Sequence, residues 1–374
     1  MTNKSVQTKA DLAELRTSLD LDHVTVHTQN LKYRGLMPLA LKYALFALRP
    51  GGRLEIIDAG GSETSSPAFE IAFNLVRQWT FKLIGRDVTL IDVDPRAGRM
   101  VLERTRPVTP PGWAAGVIFS GADAEIPVLE KCLLGLLAQP ELIGEGGDIA
   151  VCGPTRDLGF LAAFPAVRYL PYDPPASSRF LVGAKKNFLV ASLSAPRVAV
   201  MHARIVLQPG ALAATPREFD IGSPNVLIEE GGRLAPYLSL CFTDATTPGR
   251  MPRRLSTTLR NVWKADPLEI HQLGAPYVDG GVFMAMRSVY DACSLDPNIA
   301  WGEAEDVEWC YRAAVNGYLV DLFPTAIAVS QTNKLARRPH LSPGLKLLTM
   351  HGVRAARHLY AAARHILFRI SGVR

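Results

Sequence analysis

The sequence predicts an α/β protein: two regions of alternating strands and helices, with a mostly parallel sheet in the second, followed by a basic helical tail. Three observations point there. Short apolar runs alternate with longer segments of helical spacing. Pro107, Pro110 and Pro111 form a cluster that resists helix and strand alike, separating region 11–106 from region 113–333. Between Asn333 and Arg374 lie nine basic residues and no acidic one.

The elements follow in order. His23–His27 reads as a strand, Met37–Leu48 as a helix with an apolar stripe, Pro50-Gly51-Gly52 as a turn, and Arg53–Asp58 as a strand. Phe69–Ile84 reads as a second helix, with strands at Asp87–Asp92 and Met100–Arg104. In the second region Gly116–Ser120, Asp148–Cys152, Val167–Leu170 and Val198–Met201 are short buried strands. Glu125–Gln139 and Ala184–Leu193 are helices between them. Strand–helix–strand order of this kind favours parallel pairing.

Of the 374 residues, 48% are hydrophobic and 20% charged, which is enough to bury real cores and excludes a disordered chain. No stretch of about 18 apolar residues is free of charge, which argues against a spanning helix. Met1–Asp20 is polar and has no apolar signal-peptide core. Cys132, Cys152, Cys241, Cys293 and Cys310 are scattered without a CxxC pair. That fits reduced thiols in a cytoplasm better than a disulfide framework or a zinc site.

An ordered series of motifs in the second region resembles the GT-A glycosyltransferases, the family 2 type in particular. Val117-Ile-Phe-Ser120 leads to Asp123 and a helix through Cys132, Leu133 and Gln139. Gly183-Ala-Lys-Lys-Asn187 sits where the family carries a basic–Asn pair, and Val198–Ile205 where it carries the apolar strand that ends in DxD. Tyr277-Val-Asp-Gly-Gly281 resembles the acceptor-side Gly-Gly segment, and Trp301–Arg312 the ED motif and its helix. The resemblance implies a GT-A (nucleotide-diphospho-sugar transferase-like) domain over 113–333, with a smaller N-terminal α/β half-domain. It implies transfer of a sugar from a nucleotide-sugar donor to a glycan or lipid-linked acceptor, with inversion.

Inverting transfer needs a carboxylate to take a proton from the attacking hydroxyl. Glu303, Glu305, Asp306 and Glu308 place four carboxylates within six residues. By the family's pattern Asp306 is the expected base and Glu305 its competitor. The same segment also fits an acidic helix N-terminus favoured by the macrodipole. The resemblance further implies donor contacts at Asp123, Lys186, Asn187, His202, Arg204 and Arg312, and acceptor contacts at Asp279, Gly280, Gly281 and Trp301. Asp123 also reads as a turn or helix-cap residue, Asp279 as a turn aspartate, and Arg312 as one half of a structural ion pair.

Where the family has DxD, this chain has His202-Ala203-Arg204. Mn²⁺ or Mg²⁺ is therefore disfavoured, because a charged guanidinium is no metal ligand while its forked donors suit phosphate. The expectation is no metal ligand set and a metal-independent transferase, with Arg204, and with it Lys185 or Lys186, in the cation's role. A non-catalytic nucleotide-sugar-binding or glycan-assembly protein is the alternative.

Leu48-Arg-Pro-Gly-Gly-Arg-Leu-Glu-Ile-Ile-Asp58 resembles a turn and strand of class I methyltransferases, so region 11–106 reads as a truncated methyltransferase-like module. Nothing before His23 supplies the Gly-rich methyl-donor loop.

In the tail, 342–374, apolar residues recur at helical spacing from Leu348 to Ile370, and His351, His358 and His365 repeat every seven residues. The nine basic residues between 333 and 374 contrast with 32 basic against 35 acidic in the other 332 residues. A basic amphipathic helix suits an anionic membrane surface, so the expected location is cytoplasmic, with peripheral contact at the inner membrane face. A helix packed on the protein's own sheet fits the same pattern. No recognisable nucleic-acid fold is present, and no nucleic-acid partner is expected.

Overall fold

The computed structural model describes residues 2–28, 31, 36–58, 76–174, 180–243, 268, 270–271 and 275–333. Residues 1–331 form one compact unit and residues 332–374 another. The expected tail helix, its histidine repeat and most of the expected 69–84 helix lie outside the described residues. Val76–Phe81 of that helix is described and helical.

The first sheet contains β1 (Asn3–Val6), β2 (Leu21–His27), β3 (Leu48–Ile57), β4 (Val88–Asp94) and β5 (Arg99–Arg104), in the order β1-β2-β3-β5-β4. β1, β2 and β3 pair in parallel, while β5 is antiparallel to both β3 and β4. Helices α1 (Lys9–Leu15) and α2 (Met37–Ala47) belong to the same layer. Thr8 and Asp11 close a reciprocal capping box at the start of α1, satisfying two backbone donors that a helix leaves open. α2 is buried almost all round, and with Leu54, Ile56 and Leu102 it forms the core of this layer.

The expected turn at Pro50-Gly51-Gly52 is instead an irregularity inside β3, where the register with β2 shifts between Leu21 and His23. Glycine makes this possible. Gly51 sits at φ 75°, and a Cβ on Gly52 would lie 2.9 Å from the carbonyls of both Arg49 and Leu21.

The second sheet is built from β6 (Trp113–Ile118), β7 (Asp148–Gly153), β8 (Val167–Pro171), β9 (Arg197–His202), β10 (Ile205–Leu207), β11 (Ile221–Glu230), β12 (Arg233–Pro236), β15 (Val282–Met286) and β16 (Val320–Ser330). Between β12 and β15, β13 (Leu240–Thr243) and β14 (Ala275–Val278) form a separate ribbon. The main order is β10-β16-β11-β15-β9-β6-β7-β8, with β12 on β11. Helices α3 (Ile126–Leu137), α4 (Pro140–Ile143), α5 (Val182–Ala191), α6 (Arg287–Ala292) and α7 (Glu305–Val315) complete the unit. α3 buries Leu129, Cys132, Leu133 and Leu136, the stripe its spacing predicts.

The expected mostly parallel sheet is corrected to a mixed one. β9, β6, β7 and β8 are parallel, but β15 runs antiparallel between β9 and β11. β15 enters against β9 from the Gly280–Gly281 turn, where the Gly281 carbonyl accepts the His202 N–H at 2.9 Å. Pro224 masks β11 in the sequence. The structure accommodates it at a bulge between Pro224 and Asn225.

Buried charge joins the two sheets. Lys42 of α2 reaches Asp220 at 2.8 Å and Asp87 at 3.2 Å, and Arg106 reaches Asp220 at 2.7 Å. Arg104 donates to the carbonyls of Leu45, Leu48 and Pro107. Arg16 pairs with Asp321 at 3.1 Å, and Tyr43 donates to the same carboxylate at 3.0 Å. The strands of the N-terminal region thus pair with one another, and its buried side chains pair with the second sheet. All five cysteines are buried thiols. Among the described residues no helix is long and apolar enough to cross a membrane.

Candidate active site

Three pieces of chain converge at the C-terminal end of the parallel strands, the usual side for ligands in open α/β sheets. The first is the end of β9, running from His202 to Arg204. The second is the Asp279–Gly281 turn between β14 and β15, tied to β9 by the His202 N–H donating to the Gly281 carbonyl at 2.9 Å. The third is the first turn of α7. Ala304, just before it, sits at φ 62° in the left-handed region, and Gly302 at φ 86°. This sharp entry points Glu305 and Asp306 back toward the turn, at the helix end whose dipole favours negative charge.

The contacts are charged and short. Lys186 of α5 is 1% exposed; its Nζ lies 2.9 Å from Glu305 Oε1 and donates to the Gly280 carbonyl at 2.9 Å. Gly280 N–H donates to Asp306 Oδ2 at 2.7 Å, and Gly281 N–H to Asp279 Oδ1 at 2.9 Å. Arg204 Nη2 lies 3.4 Å from that same Asp279 oxygen. Asp279 is held from behind, its own N–H donating to the Ser239 carbonyl at 2.9 Å. A side chain at either glycine would push these charged groups aside. A Cβ on Gly280 would stand 2.8 Å from Glu305 Oε1, and one on Gly281 would stand 2.3 Å from Arg204 Nη2.

Burial pushes the Asp306 carboxyl up to about 6, with the charges of Glu305 and then Asp279 adding to the rise; Lys186 and the Gly280 N–H oppose it. A carboxylate tuned toward neutrality is suited to accept a proton and pass it on near pH 7. Lys185, the neighbour of Lys186, is also buried; its Nζ donates to the Phe119 carbonyl at 2.7 Å, and burial lowers its pKa.

Beside the charged cluster, the rings of His202 and Trp301 lie 5.4 Å apart, and Phe180 lies 6.2 Å from Trp301. Trp301 is 53% exposed, so this aromatic surface faces solvent next to buried Glu305 and half-buried Asp306.

The structure therefore brings together Lys186, His202, Arg204, Asp279, Gly280, Gly281, Trp301, Glu305 and Asp306. The other three residues singled out from the sequence make their contacts elsewhere. Asn187 donates to the Leu295 carbonyl at 2.7 Å and accepts from the Tyr290 hydroxyl at 2.7 Å. Arg312 pairs with Glu308 at 2.7 Å and donates to the Ser294 carbonyl. Asp123 is exposed and pairs with Arg156 at 2.6 Å. Sequence reasoning passed over Phe180, Ser239 and Arg156. Only Phe180 carried a signal, as an aromatic residue beside the proline-rich loop.

The resemblance implies a divalent cation at the end of β9, and the residues there do not fit one. His202 offers a single imidazole, Arg204 is itself a cation, and the nearby carboxylates are engaged with Lys186, Arg204 and the Gly280 N–H. Among the described residues no three His, Cys, Asp or Glu side chains converge as a metal site. A cavity of about 360 Å³ lies away from this cluster, between α1, α2 and β16, lined by Tyr43, Phe46 and Phe323 among others. Its walls carry no residue of the charged cluster, so charge and burial, not cavity size, locate the candidate chemistry.

No protein-family model and no characterised protein sequence matches the chain. Among solved structures the chain is similar to GalNAc-T7 with UDP, GalNAc and Mn²⁺, at 11% identity and a TM-score of 0.42, over 73% of this chain and 55% of that one. It is also similar to S. aureus TarS 1–349, at 10% identity and a TM-score of 0.38, over 59% of this chain and 60% of that one. Both are GT-A-type glycosyltransferases. The chain spans little more than half the length of each.

Proposed function

We propose that the chain is a glycosyltransferase of the GT-A type, moving a sugar from a nucleotide-sugar donor to a hydroxyl of a glycan or lipid-linked acceptor. The observation that carries this reading is Asp306: a half-buried carboxyl raised to about 6, fixed by the Gly280 N–H at 2.7 Å and flanked by Glu305 and Asp279. At pH 7 such a group is about 90% ionised and ready to take a proton. In the reaction the acceptor oxygen bonds to the anomeric carbon as its proton passes to Asp306. The bond from the anomeric carbon to the donor phosphate oxygen breaks, and the nucleoside diphosphate leaves with the electron pair. Attack from the face opposite the leaving group inverts the anomeric configuration.

The remaining residues take supporting roles in this reading. Lys186 holds Glu305 and the Gly280 carbonyl, fixing the turn against the base. Trp301, with His202 behind it, offers an apolar face for a sugar ring. Asp279, Gly280 and Gly281 shape the acceptor side.

A panel of nucleotide sugars screened by thermal stabilisation identifies the donor, and transfer to glycan and lipid-linked acceptors is then followed by release of nucleoside diphosphate. Asp306→Asn is expected to abolish turnover while retaining donor binding. Donor binding by the wild type with no transfer or hydrolysis would instead favour a nucleotide-sugar-binding protein that does no chemistry.

A further inference from the structure

Arg204 is the one site residue whose hydrogen-bonding capacity the described fold leaves largely unused. Its side chain is 9% exposed, yet Nε and Nη1 have no acceptor, and only Nη2 approaches a partner, Asp279 at 3.4 Å. A buried donor without an acceptor is costly, so a fold that keeps two on one guanidinium favours any oxygen-rich anion that meets them. The other cation of the cluster is not available in this way, because Lys186 is committed to Glu305 and the Gly280 carbonyl, both at 2.9 Å.

The surroundings make room for this fork. The glycine beneath it is what lets the guanidinium lie where it does, since a Cβ on Gly281 would stand 2.3 Å from Nη2 and 2.8 Å from Nη1. The fork is planar and permanently charged, and its paired N–H groups match two oxygens of a phosphate. It stands at the end of β9, joined through Asp279 and Gly281 to the turn that holds Asp306.

We propose that Arg204 binds the diphosphate of the donor in place of a divalent cation, so that the chain binds nucleoside diphosphates without metal. Charge developing on the departing phosphate oxygen would then be met by a fixed guanidinium that needs no reorganisation. This inference rests on the reading of the ligand as a nucleotide sugar.

The test is calorimetric titration of the full chain with UDP, GDP, dTDP and inorganic pyrophosphate in EDTA, and with the nucleotides again in Mn²⁺. The expected result is binding of pyrophosphate and of at least one nucleotide in EDTA, with nucleotide affinity changing less than threefold on adding Mn²⁺. Arg204→Met is expected to weaken binding at least tenfold, and Arg204→Lys, which keeps the charge but not the fork, by less. Melting curves of both variants show whether they fold; if the Met variant does not, the Lys variant and the wild-type comparison in EDTA and Mn²⁺ decide. Undiminished binding by a folded Arg204→Met overturns the inference. Binding that requires Mn²⁺ also overturns it and leaves the transferase reading standing. Absence of nucleotide binding with and without Mn²⁺ overturns both.

Discussion

Replacing Asp306 by Asn probes the charge of the site through stability as well as turnover. Burial, Glu305 and Asp279 raise the Asp306 carboxyl from 3.8 to about 6. A rise of about two units corresponds to ~3 kcal/mol. The folded chain holds this proton more tightly than the unfolded chain, so the favourable contribution is complete well below pH 3.8 and is lost as pH rises through about 6. Above that pH the wild type has therefore lost ~3 kcal/mol relative to a side chain, such as an amide, that is neutral at every pH. Asn also gives something up. Asp306 Oδ2 accepts the Gly280 N–H at 2.7 Å and Oδ1 the Val307 N–H at 2.9 Å, whereas Asn has one oxygen for the two donors. That loss costs ~1 kcal/mol. The variant should therefore be ~2 kcal/mol more stable than wild type at pH 8, with the advantage gone by pH 4. Urea unfolding followed by tryptophan fluorescence at the two pH values measures this. A variant no more stable than wild type at pH 8, or equally favoured at both pH values, refutes the raised carboxyl. Full turnover by the variant refutes its role as base.

Lys186→Met should destabilise the chain by ~3–5 kcal/mol in the same assay, because Glu305 loses its buried counter-charge. The change also removes a charge that lowers the Asp306 pKa, so the acidic limb of the pH–rate profile should move to higher pH. Gly281→Ala places a methyl 2.3 Å from Arg204 Nη2 and 2.6 Å from Asp279 Oδ1. It should displace both, weakening nucleotide affinity by calorimetry about tenfold, a loss of ~1.4 kcal/mol. From the charge of the tail, the full chain should co-sediment with anionic vesicles and release as salt rises, while a chain ending at residue 341 should not. Failure of the full chain to bind would refute the membrane contact.

Much of the local structure was legible in the sequence, because strands and helices announce themselves by period. The spacing of Leu129, Cys132, Leu133 and Leu136 gave a helix, and those side chains are buried. The runs at Asp148–Cys152 and Val167–Leu170 became β7 and β8. The acidic run at 303–308 marked the start of α7, where Glu305 and Asp306 meet the Gly280 turn. Other features carried no local sign. β11 was hidden by Pro224, and the antiparallel insertion of β15 follows from which strand edge its turn reaches, not from its composition.

The amino-acid sequence by itself determined the alternation of elements, the apolar stripes and the His202-Ala203-Arg204 run that follows the apolar residues of β9. Only the tertiary structure decided which charges are buried and with whom. Lys186 and Glu305 are 119 residues apart in the chain, and Lys42, Asp87, Arg106 and Asp220 read one by one as ordinary surface charges. A charge has no period, and its energy depends on desolvation and on the distance to its partner. Both quantities are fixed only when the two sheets and the α7 turn close around it.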